Sequence, residues 1–314
     1  MSRPGRLTTG AAGVAVLVAV CALGPALLPD AGDGDPLHAA LLPPGTAVTA
    51  LAITDGRTLL SPRVEREGDS YVVHGGRSLT RVPAREVVSE GRLRLWLGSD
   101  RFGRDLLPRL LVGGRMSLAV AALGVAVALL VGLAVGLAAA TGGRLVDAVL
   151  MRLVDALLAF PILLLLILAS ALFRPGPLLL VVVLGLSSWM GLARLVRGQV
   201  LSLATRTFIQ AARVAGTREL RIWTLHYLPN LKAPLAQDTA LAMGSLVLAE
   251  ATLSFLGLGL PPTMPSWGAM VADGQRVMVE GWWLSVFPGL AITALVVSLA
   301  LIGDGLQARG RASA

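Results

Sequence analysis

Six long apolar runs limit what this 314-residue chain can fold into. Each run is close to the roughly 20 residues that an α-helix needs to cross the hydrocarbon core of a bilayer. Only 15% of the residues are charged and 55% are hydrophobic, whereas soluble domains carry about 25% charged residues. The sequence therefore predicts an all-α polytopic membrane protein with six transmembrane helices. The predicted spans are about 10–29, 116–140, 151–173, 177–197, 234–260 and 284–306.

The first run has two interpretations. Arg3 and Arg6 precede a short apolar core, as they do in a cleavable signal peptide. The run continues through Leu27 and Leu28, and no clear small-residue cleavage site follows Cys21, which favours an uncleaved signal anchor.

The distribution of basic residues predicts the orientation. With the N-terminus inside, the short outer loops hold only Arg174 and Arg276. The cytoplasmic segments and adjoining helix ends hold Arg3, Arg6, Arg144, Arg152, Arg194, Arg197, Arg206, Arg213, Arg218, Arg221, Lys232, Arg309 and Arg311. This excess follows the positive-inside rule. We therefore expect a multi-pass protein of the cytoplasmic membrane with both termini cytoplasmic.

The segment 30–115 is predicted to form an external insert. It contains four short strand-like runs separated by Asp-Gly, Gly-Asp and Gly-Gly turns, which indicate a small β-rich module. A mostly irregular linker is the alternative. The strand-like runs are TAVTALAI, TLLSPRVE, SYVVHGG and SLTRVP, with turns at Asp55-Gly56, Gly68-Asp69 and Gly75-Gly76. The remaining divisions are a first segment 1–29, a membrane core 116–306 and a cytoplasmic tail 307–314.

Several function classes are disfavoured. The only lysine, Lys232, is followed by Ala233, so the chain has no phosphate-binding P-loop, and any ATP is hydrolysed by another polypeptide. Cys21 is the only cysteine, and the three histidines lack metal-ligand spacing. The arginines flank apolar runs rather than forming a basic tract with aromatics, which argues against nucleic acid. We therefore expect no catalytic residues, cofactor or metal site in this chain.

A polar segment at 208–230, FIQAARVAGTRELRIWTLHYLPN, lies between two spans on the predicted cytoplasmic side. It predicts a helix over about 207–215, a break at Gly216, and a second helix over about 218–228, with an apolar side supplied by Ile222, Leu225 and Tyr227-Leu228. Pro229 either stops the second helix or opens the next one. Such a helix-turn-helix can serve as a rigid lever for a soluble partner. An amphipathic segment lying on the membrane surface is the alternative.

Three ordered blocks resemble a known family. The spacing of Ala211-Ala212, Gly216 and Leu228-Pro229 resembles the "EAA" loop of ABC importer permeases. Two further blocks resemble the permeases of dipeptide, oligopeptide and nickel importers: 96–118 (WLGSDRFGRDLLPRLLVGGRMSL) and 253–268 (LSFLGLGLPPTMPSWG). The position of the N-terminal span resembles that of the C-type member of the permease pair. Gln210 stands where the family usually has Glu, and Ser99 and Pro108 also depart from it. The matching coupling-loop residues are Gln210, Ala211, Ala212, Gly216, Leu228 and Pro229.

The resemblance implies a type I ABC importer permease fold, with a five-helix core and an N-terminal helix, embedded in membrane lipid. It also implies partners: a second homologous permease, two cytoplasmic ATPase subunits that bind ATP and Mg²⁺, and an external substrate-binding protein. The expected function is permeation of peptides, nickel or other small solutes. An ATP-independent secondary transporter that uses intramembrane carboxylates is the alternative.

Residues near the end of the fifth span are candidates for the translocation path or gate. They are Glu250, Ser254, Phe255, Gly257, Gly259 and Trp267. A helix broken at Pro261-Pro262 is tolerated in a membrane only where it lines a cavity or packs in protein, although ordinary helix termination is an alternative. Glu250 either lines the path or pairs within the bundle.

Other charged and small residues have structural interpretations. Asp155 is expected to pair with Arg152, and Asp304 to be solvated. The cluster Asp100-Arg101 and Arg104-Asp105 is expected to form ion pairs and turn contacts. Gly132 and Gly136 form a small-xxx-small pair that permits close helix packing.

Overall fold

The computed structural model describes residues 3–28, 34–75, 78–173, 176–261 and 263–312. Most of this part is helical. The helices are α1 (Arg3–Leu27), α2 (Leu106–Thr141), α3 (Gly143–Leu158), α4 (Ile162–Leu172), α5 (Pro177–Ala204), α6 (Thr207–Val214), α7 (Glu219–Ile222), α8 (Leu228–Phe255), α9 (Trp267–Gln275) and α10 (Trp283–Ala312). Within the described residues, α1, α2, α5 and α10 are the helices long and apolar enough to cross a membrane.

Several helices begin or end at residues other than those predicted, because the helices also include polar residues beside the apolar runs. α2 begins ten residues before the predicted start because the Asp105 Oδ1 atom accepts the Leu107 N–H (3.0 Å) and so caps the helix. α8 begins at Leu228 rather than 234, with Pro229 in its first turn, and ends at Phe255 rather than 260. α5 and α10 extend past the predicted ends of their spans, to Ala204 and Ala312.

The prediction of one helix over 151–173 is wrong. The structure has two helices, α3 and α4, separated by Ala159, Phe160 and Pro161. Pro161 has no N–H to donate, and its ring disfavours helical geometry at the preceding residue. The Phe160 N–H donates to the Leu157 carbonyl (3.2 Å) in a final turn, after which the chain restarts as α4.

The chain divides into two compact units. The first comprises Met1–Leu17, Ser117–Pro261 and Ile292–Ala314, and the second comprises Val18–Met116 and Pro262–Ala291. This division differs from the predicted membrane core 116–306, because 262–291 belongs with the second unit.

A seam of glycines packs α2 against α5 in the first unit. A Cβ atom added at Gly132 would lie 2.7 Å from the Leu192 Cβ, and one at Gly136 would lie 2.6 Å from the Val196 Cβ. From the α5 side, a Cβ at Gly185 would lie 2.7 Å from the Val127 Cβ. The predicted close packing through Gly132 and Gly136 is confirmed, since these contacts leave no room for a side chain.

The second unit contains two antiparallel three-stranded sheets, in the orders β2-β1-β6 and β3-β4-β5. The strands are β1 (Thr46–Ile53), β2 (Thr58–Ser61), β3 (Arg63–Glu67), β4 (Ser70–His74), β5 (Leu79–Pro83) and β6 (Val87–Leu95). TAVTALAI coincides with β1, whereas Pro62 divides TLLSPRVE between β2 and β3. The sequence pattern does not predict β6, which is exposed along most of its length. Gly76 of the predicted Gly75-Gly76 turn lies outside the described residues.

The sheets enclose a buried polar contact as well as apolar side chains. The His38 Nδ1 atom lies 2.8 Å from the Asp35 Oδ2 atom, and its Nε2 atom lies 2.9 Å from the Thr80 Oγ1 atom. The Asp35 carboxylate also accepts the backbone N–H of Leu60 (3.1 Å). The Asp35–His38 pair therefore ties the start of this segment to both sheets, which is a structural role.

Candidate functional site

The segment between α5 and α8 forms a helical hairpin, which we call the 207–229 hairpin. α6 ends where predicted, because the Gly216 N–H donates to the Arg213 carbonyl (2.9 Å) and the Thr217 N–H donates to the Ala212 carbonyl (3.0 Å). These two bonds define a Schellman cap, and Gly216 adopts a φ of +74°, which glycine tolerates best. The predicted break at Gly216 is confirmed.

The second arm of the hairpin differs from the predicted helix over 218–228. It consists of the short helix α7 followed by a π-helical turn over Trp223–Tyr227, in which the Leu228 N–H donates to the Trp223 carbonyl. This turn leads directly into α8, so Pro229 opens the next helix rather than stopping the previous one. A π-turn contains one extra residue, and it therefore rotates the side chains that follow it.

The hairpin is anchored by buried side chains. Ile209, Ile222 and Tyr227 are fully buried. They pack in one apolar group with residues of the long helices: Leu137 of α2, Val196 and Val200 of α5, and Leu231 of α8. The hairpin is therefore packed tightly against three long helices, and packed side chains do not deform independently.

The opposite side of the hairpin faces outward. Gln210, Ala211, Gly216 and Pro229 are exposed, and Ala212 and Leu228 are half-buried. The Gln210 Nε2 atom contacts the Thr205 carbonyl at 3.5 Å. The apolar side chains of Val214, Leu220 and Leu225 are also exposed. The prediction that Leu225 shares one apolar side with Ile222 and Tyr227 is wrong, because the π-turn directs it outward.

Arg213 joins the two arms of the hairpin. Its guanidinium donates to the Glu219 Oε1 atom (2.9 Å) and to the Tyr227 hydroxyl (3.3 Å). Burial raises the pKa of the Tyr227 phenol, so its hydroxyl remains neutral and can accept this bond. Arg213 therefore fixes α6 relative to both α7 and the π-turn.

We expect Arg213→Gln to loosen the hairpin without unfolding the protein. Losing a half-exposed ion pair and one hydrogen bond should cost about 1 kcal/mol, which corresponds to roughly fivefold faster local opening. Amide hydrogen exchange over residues 209–222 measures this change. Arg221→Gln, a change at an exposed arginine of α7, is the matched control and should leave exchange unchanged. Equal exchange in both variants would contradict the bracing role of Arg213.

Two ion pairs connect α3 to α5. The Arg197 guanidinium donates to both carboxylate oxygens of Asp147, at 2.5 and 2.6 Å. Asp155 pairs with Arg194, so the expectation that it pairs with Arg152 is wrong. The expectation rested on the spacing of Arg152 and Asp155 within α3, but Arg194 reaches Asp155 from the neighbouring helix α5. Asp304 is solvated as expected, with a side chain that is 59% exposed, and it also pairs with Arg6 at 3.7 Å.

Glu250 lies within the helix bundle of the first unit. Its side chain is fully buried. The Ser117 hydroxyl donates to its Oε2 atom (2.8 Å), and the Ser254 hydroxyl donates to its Oε1 atom (2.7 Å). Glu250 was expected either to line the path or to pair within the bundle. These hydrogen bonds are those of a residue that pairs within the bundle.

The block after Glu250 ends α8. The Gly257 N–H donates to the Ser254 carbonyl (3.1 Å), and the Leu258 N–H donates to the Leu253 carbonyl (2.9 Å). With Gly257 at a φ of +78°, these bonds form a second Schellman cap. A Cβ atom at Gly259 would lie 2.5 Å from the Ser254 Cα, so the chain folds back closely. Pro262 of the predicted helix break lies outside the described residues.

The other path candidates have different surroundings. Phe255 is partly exposed, whereas Ser254 is buried. Trp267 belongs to the second unit, where it is buried and donates its Nε1–H to the Leu110 carbonyl (2.8 Å).

The polar block before α2 folds as the sequence predicts. Asp100 accepts the backbone N–H groups of Phe102 (2.8 Å) and Arg104 (3.0 Å) and pairs with the Arg104 side chain at 2.7 Å. Arg109 approaches the same carboxylate at 3.5 Å, and Arg101 pairs with Asp273 at 3.3 Å. These are ion pairs and turn contacts, as expected.

Long apolar helices packed through glycines, together with an exposed helical hairpin that is anchored on α2, α5 and α8, define a multi-pass membrane transport component. Comparison with known proteins identifies the family. The model of the binding-protein-dependent transport system inner membrane component family matches residues 128–309, more than half of the chain. The chain belongs to this family and is an ABC importer permease of the peptide branch.

Curated relatives cover about two thirds of the chain. A putative peptide transport system permease protein of Brucella suis is 45% identical over 67% of this chain and 71% of its own length. The oligopeptide transport system permease protein OppC of Escherichia coli is 41% identical over 68% and 70%, respectively. The di/tripeptide transport system permease protein DppC of Pseudomonas aeruginosa is 38% identical over 69% and 72%.

One solved structure shows the same fold. The MetNI methionine ABC transporter in an inward-facing conformation matches with a TM-score of 0.53 and 20% identity, over 63% of this chain and 95% of that chain. The chain therefore has the type I ABC importer permease fold. This membership favours the importer over the ATP-independent secondary transporter. ABC importer permeases work with ATPase and substrate-binding partners.

Proposed function

We propose that the chain is the permease subunit that moves peptides across the cytoplasmic membrane in an ATP-driven importer. The observation that carries this proposal is the 207–229 hairpin. Its exposed side presents Gln210, Ala211 and Gly216, and its buried side is fixed to α2, α5 and α8. This arrangement suits an element that receives force from a soluble protein and passes it to membrane helices.

The proposed topology has six membrane crossings. They are α1, α2, the broken pair α3–α4, α5, α8 and α10. Both termini and the hairpin lie on the cytoplasmic side, as the distribution of arginine supports. The sheets of 46–95 then lie outside, where they can meet a substrate-binding protein.

The proposed assembly contains a second homologous permease and two cytoplasmic ATPase subunits. ATP and Mg²⁺ bind to the ATPase subunits, and this chain supplies no catalytic residue, cofactor or metal ligand. Among the described residues, no three His, Cys, Asp or Glu side chains come together as a metal site. Closure of the ATPases would push on the hairpin and switch the pore between its inward and outward openings.

Peptides are favoured as substrates because the names of the compared relatives specify peptide, dipeptide and oligopeptide transport. The test is uptake by proteoliposomes that contain the full complex and its binding protein. We expect ATP to drive the accumulation of radiolabelled dialanine. A proton gradient without ATP should drive none.

Two outcomes separate the alternatives. Accumulation of ⁶³Ni²⁺ without dialanine would replace the peptide substrate with a metal complex. Uptake that requires a proton gradient and ignores ATP would overturn the importer mechanism.

A further inference from the structure

A proline interrupts the hydrogen bonding of α1. Pro25 lies inside this helix, which continues beyond it, since the Leu28 N–H donates to the Gly24 carbonyl (3.1 Å). Proline has no N–H, so the carbonyl four residues earlier, that of Cys21, loses its donor within the helix. An unsatisfied carbonyl is costly in a membrane span, because hydrocarbon offers no donor in place of the lost one. A neighbouring element must therefore supply the donor, or α1 carries the cost.

Arg115 of α2 supplies a donor at this carbonyl. Its Nε–H group donates to the Cys21 carbonyl (2.7 Å), and its Nη2 atom donates to the adjacent Ala22 carbonyl. Arg115 lies within α2, which is one of the helices long and apolar enough to cross a membrane. A charged side chain in a span is costly, and it is found where backbone carbonyls or other polar groups accept from it. The proline and the arginine therefore each supply what the other lacks.

The two helices also approach closely beside these hydrogen bonds. A Cβ atom added at Gly114 would lie 2.5 Å from the Cys21 Sγ atom and 2.7 Å from the Trp267 Cζ2 atom. A Cβ atom added at Gly24 would overlap the Leu111 side chain. The side chain of Cys21 is buried in this contact, with 3% of the residue exposed. The C-terminal half of α1 is therefore seated on the start of α2 by close backbone packing as well as by hydrogen bonds.

We propose that Arg115 is a positioning residue, which replaces the hydrogen bond that Pro25 cannot make and thereby holds the C-terminal half of α1 on α2. When α1 leaves α2, the Cys21 carbonyl loses its donor and finds no other within its own helix. Separation therefore costs more for a helix with Pro25 than for a helix with a residue that has an N–H at this position. Through this bond α1 is a fixed part of the permease. The role of Arg115 is independent of which solute the permease transports.

A contact with lipid phosphate groups is the other role open to Arg115, since its side chain is exposed. The position of the proline favours the role within the protein, because Pro25 frees the same carbonyl that the Nε–H group contacts. A phosphate contact makes no use of the proline and would be unaffected by a change at Pro25. The two roles therefore give different results in a double-mutant cycle.

The reactivity of Cys21 measures the separation of α1 from α2. It is the only cysteine of the chain and is buried in the contact, so N-ethylmaleimide labels the chain when the contact opens. Cys21 lies about 9 Å from the end of α1 at Leu27, within reach of the aqueous reagent once α1 separates. The assembled transporter is labelled in dodecyl maltoside, and this chain is then isolated by gel electrophoresis. The cycle compares the unmodified chain, R115Q, P25A and the double variant. R276Q, a change at an exposed arginine of the same unit, is the matched control.

We expect R115Q to increase the rate of labelling about tenfold or more in the chain with Pro25, because hydrogen bonds from a charged donor are lost. In the P25A background the same substitution should increase the rate about threefold or less, because an N–H at position 25 then serves the Cys21 carbonyl. R276Q should leave the rate unchanged. An equal effect of R115Q in both backgrounds would overturn the proposal, and so would labelling of R115Q at the unmodified rate.

R115K provides a second series if R115Q does not accumulate in the membrane. A lysine ammonium can donate to one of the two carbonyls, but it lacks the forked geometry with which a guanidinium contacts both. With Pro25 present, we expect R115K to be labelled about three times faster than the unmodified chain. In the P25A background, R115K should be labelled at nearly the rate of P25A alone. Equal ratios in the two backgrounds would contradict the positioning role in this series as well.

Discussion

Gly136→Ala is expected to destabilise the protein by about 1–3 kcal/mol, the usual cost of overpacking a well-packed interface. The added Cβ atom would lie 2.6 Å from the Val196 Cβ and 2.7 Å from the Ala193 carbonyl oxygen. Because the second of these atoms is backbone, the clash is relieved only by moving α2 away from α5. Unfolding of the purified protein by sodium dodecyl sulfate in mixed micelles measures the loss.

Gly198→Ala is the matched control for this substitution. Gly198 also lies within a membrane helix, and a Cβ atom there would have no heavy atom within 4 Å. Alanine should be neutral or stabilising by up to about 1 kcal/mol at this position, because it is the better helix former. If the two variants unfold at the same detergent fraction, the glycine seam does not hold α2 against α5.

Gly216→Val should reduce the ATP-driven uptake of peptide while leaving the membrane bundle folded. A β-branched residue at a φ of +74° costs about 1–3 kcal/mol, which corresponds to a roughly 5- to 150-fold smaller population of the native turn. A Cβ atom at this position meets no other heavy atom within 4 Å, so the effect comes from the backbone alone. Uptake and ATP hydrolysis are measured in the same proteoliposomes, and we expect hydrolysis to continue without a matching rate of uptake.

Gly216→Asn separates backbone strain from simple loss of glycine. Asparagine tolerates the left-handed conformation, so this variant should retain most of the uptake. Equal uptake by the valine, asparagine and unmodified proteins would show that the capped turn at Gly216 does not contribute to coupling.

The features that the sequence predicts well are those with strong local causes. Long apolar runs identify the four helices that are long and apolar enough to cross a membrane, α1, α2, α5 and α10. The turn at Gly216 follows from one residue type with a special backbone freedom. The close packing at Gly132 and Gly136 likewise follows from their spacing on one helix face. Each of these inferences needs only neighbouring residues.

The features that the sequence does not predict are of two kinds. Some depend on contacts between residues far apart in the chain, and others depend on a single extra residue in a helical turn. Asp155 is three residues from Arg152 in the sequence, yet it pairs with Arg194 on a different helix. The π-turn before Leu228 has no clear sequence signature, and it reverses the expected side of Leu225. Pro161 is a local signal for the break between α3 and α4. The leucine-rich sequence on both sides of it nevertheless reads as one continuous apolar span, which is why a single helix is predicted there.

The two sheets of the second unit leave outer strands whose hydrogen-bonding edges are open, a geometry that invites pairing with other chains. The outer strand β3 has the sequence RVERE, and β6 carries Glu90, Arg92 and Arg94. Charges at this density oppose the stacking of edges from two molecules. The charged outer strands therefore lower the tendency of this segment to pair with a second copy before any partner is present to cover it.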